Sequence, residues 1–397
     1  MCCVFSVTCI ALTVTVTACD DGATAPSDTT RSSPQSRDRD VRVRPAPRVA
    51  NAAAFELVAS SQGAVLIWAG GPCTDGVHVQ RFASDGSPVG QPAHLPGCGE
   101  SRGADAQIVQ VTAAAEGGRL GLAWIVRDDS RAEVFGSFGA DSGDLFSPTL
   151  LLGAAARTVT SERGQLSLAG AESGQMRVSW RATDGRCSTG QASCARVVSD
   201  AHPPAESAAA RGKDIREVPV PCPQLLVGAL WRRGVWYESF CALEGPDARP
   251  MTEVYAIRPE IYYAEAFAVL AGCTPLGIAP AARGVVVMGM CTEGLTIHAL
   301  GESHREVIAN AVRDVRCDAG RPTLMIHNRQ GQSLAYKLEA PTDRIEPWIS
   351  DTLAVSGSRV AFTGRRLLVA TVHNASLEVR AWKCQGESLV SDSPVML

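Results

Sequence analysis

The sequence predicts an all-β chain assembled from about seven repeats of a four-stranded unit. Short apolar strings recur along its body, and the first four end in Trp. A polar turn follows each string and leads into a second strand-like run. No segment carries the 3.6-residue apolar period of an amphipathic helix.

The strings are AVLIW ending at Trp68, LGLAW at Trp124, MRVSW at Trp180, VGALW at Trp231, VVVMGM at Met290, TLMIH at His327 and LLVATV at Val372. A 56-residue interval separates Trp68 from Trp124 and Trp124 from Trp180, and the mean interval over all seven is about 51. Each string reads as the second strand of its unit. Turns such as AGGPCTDG, IVRDDSRA, RRG and CTEG follow, and the Asp-Gly, Arg-Gly and Glu-Gly pairs of the first and last two supply the positive φ that tight hairpins need. Third strands follow, among them VHVQRF, EVFGSF, ASCARVV, VWYESF, LTIHAL, SLAYKL and SLEVRAW, with alternation clearest in VHVQRF and LEVRAW. FELVASSQG and VTAAAEGG read as first strands, and PAHL, TLLLG, MTEVYAI and REVIANA as fourth strands.

Four strands at this spacing point to a β-propeller of about seven four-stranded blades, with six or eight as alternatives. A lone sheet leaves one apolar face wet; blades stacked radially bury both. The rival is a row of tandem β-sandwiches. That arrangement needs mid-chain linkers, and only residues 200–210 (DAHPPAESAAA) resemble one.

Composition agrees. With 45% hydrophobic and 20% charged residues, the chain is too apolar for a disordered protein. Beyond the N-terminus it lacks the apolar runs of about 20 residues that a helical membrane bundle requires. A net charge of −4 gives no basic footprint for nucleic acid. Only three of the 37 basic residues are Lys, a skew that matches Ala- and Gly-rich coding bias.

Residues 1–18 read as a signal peptide: Val4 to Ala18 is uncharged and apolar, too short to span a bilayer comfortably. The segment ends Val16-Thr17-Ala18-Cys19, followed by two Asp residues. This resembles the lipobox of bacterial lipoproteins, in which small residues precede a Cys that is lipidated and becomes the new N-terminus. The resemblance implies lipidation of Cys19 and a lipid-anchored place in the cell envelope, at the outer membrane and facing periplasm or surface. An ordinary cleaved signal cut after Ala18 is the alternative. Residues 19–50, rich in Asp, Ser, Thr, Pro and Arg, read as a flexible tether, and residues 51–397 as the propeller domain.

Ten Cys remain in the body: Cys73, Cys98, Cys187, Cys194, Cys222, Cys241, Cys273, Cys291, Cys317 and Cys384. An even number in an exported chain suggests disulfides. Propeller topology places second-to-third turns and blade connections on one rim, and the other two turns on the opposite rim. On that map Cys73 (a turn) lies near Cys98 (a connection), Cys187 near Cys194, Cys222 near Cys241, Cys273 (a connection) near Cys291, and Cys317 near Cys384. Pairing of these neighbours is expected. Zinc is not: there is no CxxC pair and no HxxxH.

The sequence shows no HExxH, GxSxG, P-loop, dinucleotide or EF-hand motif, so neither catalytic residues nor cofactor nor metal is assigned. Its seven His are scattered over different repeats and read as surface or packed residues. The candidate binding rim gathers Trp68, Asp75, Trp124, Asp128, Asp129, Trp180, Asp184, Trp231, Arg232 and Glu293 from successive second-to-third turns. The expected function is a monomeric, envelope-anchored propeller that binds or scaffolds a protein, peptide or glycan. A carbohydrate-active hydrolase or lyase using rim acids is the alternative.

Overall fold

In the computed structural model the described residues are 54–98, 105–141, 146–155, 165–181, 193–198, 215–218, 225–232, 234–244, 249–258, 263–281, 284–291, 294–301, 305–309, 312–318, 321–327, 333–337, 359–373, 376–386 and 388–391. They form strands joined by turns, with one short 3-10 turn at Cys73–Asp75 and no α-helix. The strands group, in chain order, into seven antiparallel sheets.

The first sheet holds β1 (Ala54–Ser60), β2 (Gly63–Ala69), β3 (Val77–Ala83) and β4 (Pro88–Leu95). The second holds β5 (Gln107–Glu116), β6 (Arg119–Arg127), β7 (Ala132–Ala140) and β8 (Leu150–Ala155). The third holds β9 (Leu166–Gly170), β10 (Met176–Arg181), β11 (Ser193–Val198) and β12 (Ile215–Val218). The fourth holds β13 (Leu225–Arg232), β14 (Val235–Glu244), β15 (Arg249–Arg258) and β16 (Tyr263–Ala271). The fifth holds β17 (Cys273–Ala281), β18 (Gly284–Cys291), β19 (Gly294–Gly301) and β20 (Arg305–Ala309). The sixth has three described strands, β21 (Val312–Asp318), β22 (Arg321–His327) and β23 (Ser333–Lys337). The seventh holds β24 (Arg359–Phe362), β25 (Leu367–His373), β26 (Ser376–Gln385) and β27 (Ser388–Ser391).

The continuous apolar runs have a direct cause. Every residue of β2 is buried, because the strand is covered on both faces. Its alternate side chains divide between two cores. Val65, Ile67 and Ala69 pack with Ile108, Val111, Leu122 and Trp124 of the second sheet. Ala64, Leu66 and Trp68 pack with Leu368, Ala370, Leu377 and Val379 of the seventh. In β6 the same division sends Leu122 and Trp124 toward the first sheet and Ala123 and Ile125 toward the third.

The strand-end Trp residues therefore face the preceding sheet: Trp124 the first and Trp180 the second. Trp68 faces the seventh, so the seventh sheet stands to the first as the first stands to the second. Side chains bridge this seam. Arg359 lies 3.5 Å from Glu56 and over the ring of Phe55, and Thr363 Oγ1 donates to Ser84 O at 2.7 Å. Both terminal sheets consist of consecutive strands, without strand exchange.

Six of the seven apolar strings are second strands, as expected. VGALW is not: it lies in β13, the first strand of the fourth sheet, and Val235–Glu244 is the second. MTEVYAI is correspondingly third in its sheet rather than fourth, and β16 is fourth. The displacement arises in the third sheet. Its fourth strand is the polar IREV of β12, reached across residues 199–214, so the next apolar string opens a new sheet.

Candidate functional site

The second-to-third connection of the first sheet, residues 70–76, is fastened to the second sheet rather than hanging free. Cys73 N–H donates to Ala106 O at 2.8 Å, and Ile108 N–H donates to Gly71 O at 2.7 Å. Cys73 is also disulfide-bonded to Cys98, in the connection that leads from β4 to β5. The fit is close: a Cβ on Gly97 would lie 2.4 Å from Cys73 O. Gly76, at φ 71°, is required twice, since a Cβ there would also meet His94 Nε2 at 2.3 Å.

Beside this connection three rings cross the strands of the first sheet. Trp68 on β2 stacks on His78 of β3, with centroids 5.2 Å apart and planes 17° apart. His78 meets His94 of β4 edge-on, also at 5.2 Å. The three are register partners, so they share one face. His94 Nε2 lies 2.9 Å from Asp75 O. The ladder runs from a buried Trp68 through a half-buried His78 to an exposed His94. Burial, then the neighbouring His94, holds the His78 imidazole below the ordinary range; Asp75 opposes both.

The equivalent turn of the second sheet is organised by Asp128. Its Oδ1 accepts from Ser130 N–H at 2.8 Å, Ser130 Oγ at 2.7 Å and Arg131 N–H at 2.8 Å. This is an Asx-type turn, in which the carboxylate replaces a backbone acceptor. Asp129 beside it is exposed, as is Asp75.

Of the sequence-predicted rim, Asp75, Asp128 and Asp129 are at the turns, whereas the rings of Trp68, Trp124 and Trp180 are in the core. Trp68, Trp124 and Trp180 are 3%, 0% and 1% exposed, because each is wedged between two sheets. Trp124 Nε1–H donates to Gly97 O at 2.6 Å and Trp180 Nε1–H to Ala154 O at 2.8 Å, each on the preceding sheet or its exit. Trp231 is half-buried, edge-on to Trp236. Asp184 and Glu293, and the side chain of Arg232, lie outside the described residues.

Two expected disulfides are present, Cys73–Cys98 and Cys273–Cys291. The second departs in detail: Cys273 begins β17 rather than lying in a connection, directly opposite Cys291 at the end of β18. Cys384 is also disulfide-bonded. Cys19, Cys187 and Cys222, and the side chains of Cys194, Cys241 and Cys317, lie outside the described residues. Among the described residues no group of three or more His, Cys, Asp or Glu is placed to hold a metal ion, and no helix is long and apolar enough to cross a membrane.

Sequence reasoning treats His78 and His94 as scattered. They sit in runs that read as third and fourth strands, VHVQRF and PAHL, so the signal was the hairpin register. That register was hidden by an irregularity: Val79 pairs with Ala93, yet Arg81 pairs with Val89.

No family model and no curated protein matches this chain. Among solved structures, one similar chain is an acylaminoacyl peptidase, at 7% identity and TM-score 0.40, covering 68% of this chain and 44% of that one. This chain thus spans less than half of that enzyme. Another is the β-propeller domain of the Trilobed protease from Pyrococcus furiosus, at 8% identity and TM-score 0.38, covering 70% and 81%. A third is the six-bladed β-propeller lectin of Aleuria aurantia, at 15% identity and TM-score 0.33, covering 72% and 94%. These likenesses are distant and assign no activity to this chain.

Proposed function

We propose that the chain is an envelope-anchored lipoprotein whose body is a seven-bladed β-propeller that binds or scaffolds a partner through its rim of second-to-third turns. The observation that carries the propeller is cyclic equivalence: the seventh sheet packs on the first through Trp68 as the first packs on the second through Trp124. The binding reading is supported by how the rim is built. The 70–76 connection is pinned by a disulfide and by pairing to β5, and the Asp128 turn is capped from within. Such turns hold Asp75 and Asp129 outward in fixed positions, and pre-organised side chains bind with less ordering cost. The partner is a protein, peptide or glycan of the envelope, met by a protein that is itself monomeric.

Anchoring rests on the Val16-Thr17-Ala18-Cys19 sequence and the polar stretch behind it. Mass spectrometry of the mature protein tests it. A diacylglyceryl-modified N-terminal Cys19, with release from membranes in Cys19→Ser, is the expected result; an unmodified Cys19 contradicts it. Binding is tested by affinity capture from envelope fractions with residues 51–397, alongside the rim variant Asp75→Lys/Asp129→Lys. One partner captured by the native rim and lost by the variant supports the reading. Capture that is indifferent to the variant overturns the role of this rim.

A further inference from the structure

We propose that the Trp68–His78–His94 ladder is an acid-sensitive latch, which holds the end of edge strand β4 closed when His78 is neutral and releases it when His78 takes up a proton. The ladder bridges a buried core and a sheet edge. Among the described residues β4 pairs with β3 alone, so its separation from β3 breaks no second ladder there. Its last stretch is short. Only Val77–Leu95, His78–His94 and Val79–Ala93 pair before the register breaks, and Gln80 Nε2 holds Val89 O beyond the break. At the other end the Cys73–Cys98 disulfide and the Trp124 bond to Gly97 O fix the chain. The segment 90–95 is therefore a strip anchored at both ends, with His94 in the middle of its three-residue pairing to β3, opposite His78.

A proton on His78 acts on this strip directly. The ring is half-buried, stacked on Trp68 and 5.2 Å from the ring of His94. Charge there loses hydration and is opposed by the neighbouring imidazole of His94. The charged or titratable groups that bear on His78 are His94, across on β4, and Asp75, on the 3-10 turn; β2 presents only the Trp68 ring. Asp75 attracts the imidazolium but does not reverse the balance, since burial and His94 dominate. The folded state thus favours neutral His78. Closure is fully present above the ordinary imidazole value of 6.5 and is lost as pH falls below it, through the lowered value of folded His78. Separation relieves the repulsion and rehydrates His78 without breaking the disulfide.

The test is amide hydrogen exchange of the full chain at about pH 7.5 and about pH 5, corrected for intrinsic rates, with imidazole titration by NMR. The latch predicts that residues 90–95 lose protection at the acidic pH while β5 and β6 keep theirs. His78→Phe keeps an aromatic ring against Trp68 but cannot be protonated, so its protection is independent of pH. His94→Gln removes the repulsion and reduces the loss. Unchanged protection of 90–95 in the native chain while His78 titrates overturns the latch. So does an equal loss in His78→Phe.

Discussion

The side chains of Arg177 and Glu238 are both fully buried, and they meet between the third and fourth sheets. Arg177 Nε and Nη2 reach the two carboxylate oxygens at 2.6 and 2.9 Å, and Ser179 Oγ adds a bond at 2.7 Å. Losing one partner strands a buried charge. Glu238→Leu alone is expected to destabilise the fold by about 3–5 kcal/mol, and Arg177→Met/Glu238→Leu to recover much of that, by denaturant unfolding. The Trp residues give a second test. Trp124→Ala leaves a cavity between two sheets and is expected to cost about 3–5 kcal/mol, while Trp231→Ala, at a half-buried site, costs less. At this scale the sequence was legible as periodicity but not as burial. The repeated Trp announced a recurring position. Whether it faced solvent or a neighbouring sheet depended on contacts between strands about 50 residues apart or more, which no local pattern encodes.

The strands themselves were the most legible element. An apolar string between polar turns marks a strand, and β2, β6, β10, β18, β22 and β25 all follow it; β2 and β6 show the cause, since both faces of each are covered. The fourth sheet escaped the pattern, because Trp231 and Trp236 stand in adjacent strands and either suits a second strand. IREV, short and half charged, carries too little apolar signal to mark β12. The Cys73–Cys98 and Cys273–Cys291 disulfides were legible to the level of partner, since neighbouring connections share a rim. They fell short at Cys273, where a cross-strand link looks like a link between loops. The Cys73–Cys98 bridge closes a loop of 25 residues, so Cys73→Ala/Cys98→Ala is expected to lower stability by about 2–4 kcal/mol, measured as a fall in the midpoint of chemical denaturation. The same variant frees one end of the histidine strip. It should therefore also raise exchange of residues 90–95 at neutral pH, an effect that a merely global loss of stability would not confine to that segment.

For the whole molecule, closure is the central claim. A ring of sheets covers both faces of every sheet; an open row leaves the outer faces of the first and last exposed. Leu57, Leu66, Trp68 and Phe82 on the first sheet are 0–3% exposed because the seventh sheet lies over them. Removing residues 359–397 is accordingly expected to leave an apolar face that drives self-association, visible as a shift to larger species by size-exclusion chromatography. Closure itself can be read at two exposed turn residues, Asp85 and Arg365. They flank the bond from Thr363 Oγ1 to Ser84 O, which joins residues 279 apart in sequence. A short thiol-reactive crosslinker applied to monomeric Asp85→Cys/Arg365→Cys is the most direct measurement of that contact. A ring predicts efficient linkage within one molecule, identified by peptide mapping. Linkage only between molecules, or none, would contradict it.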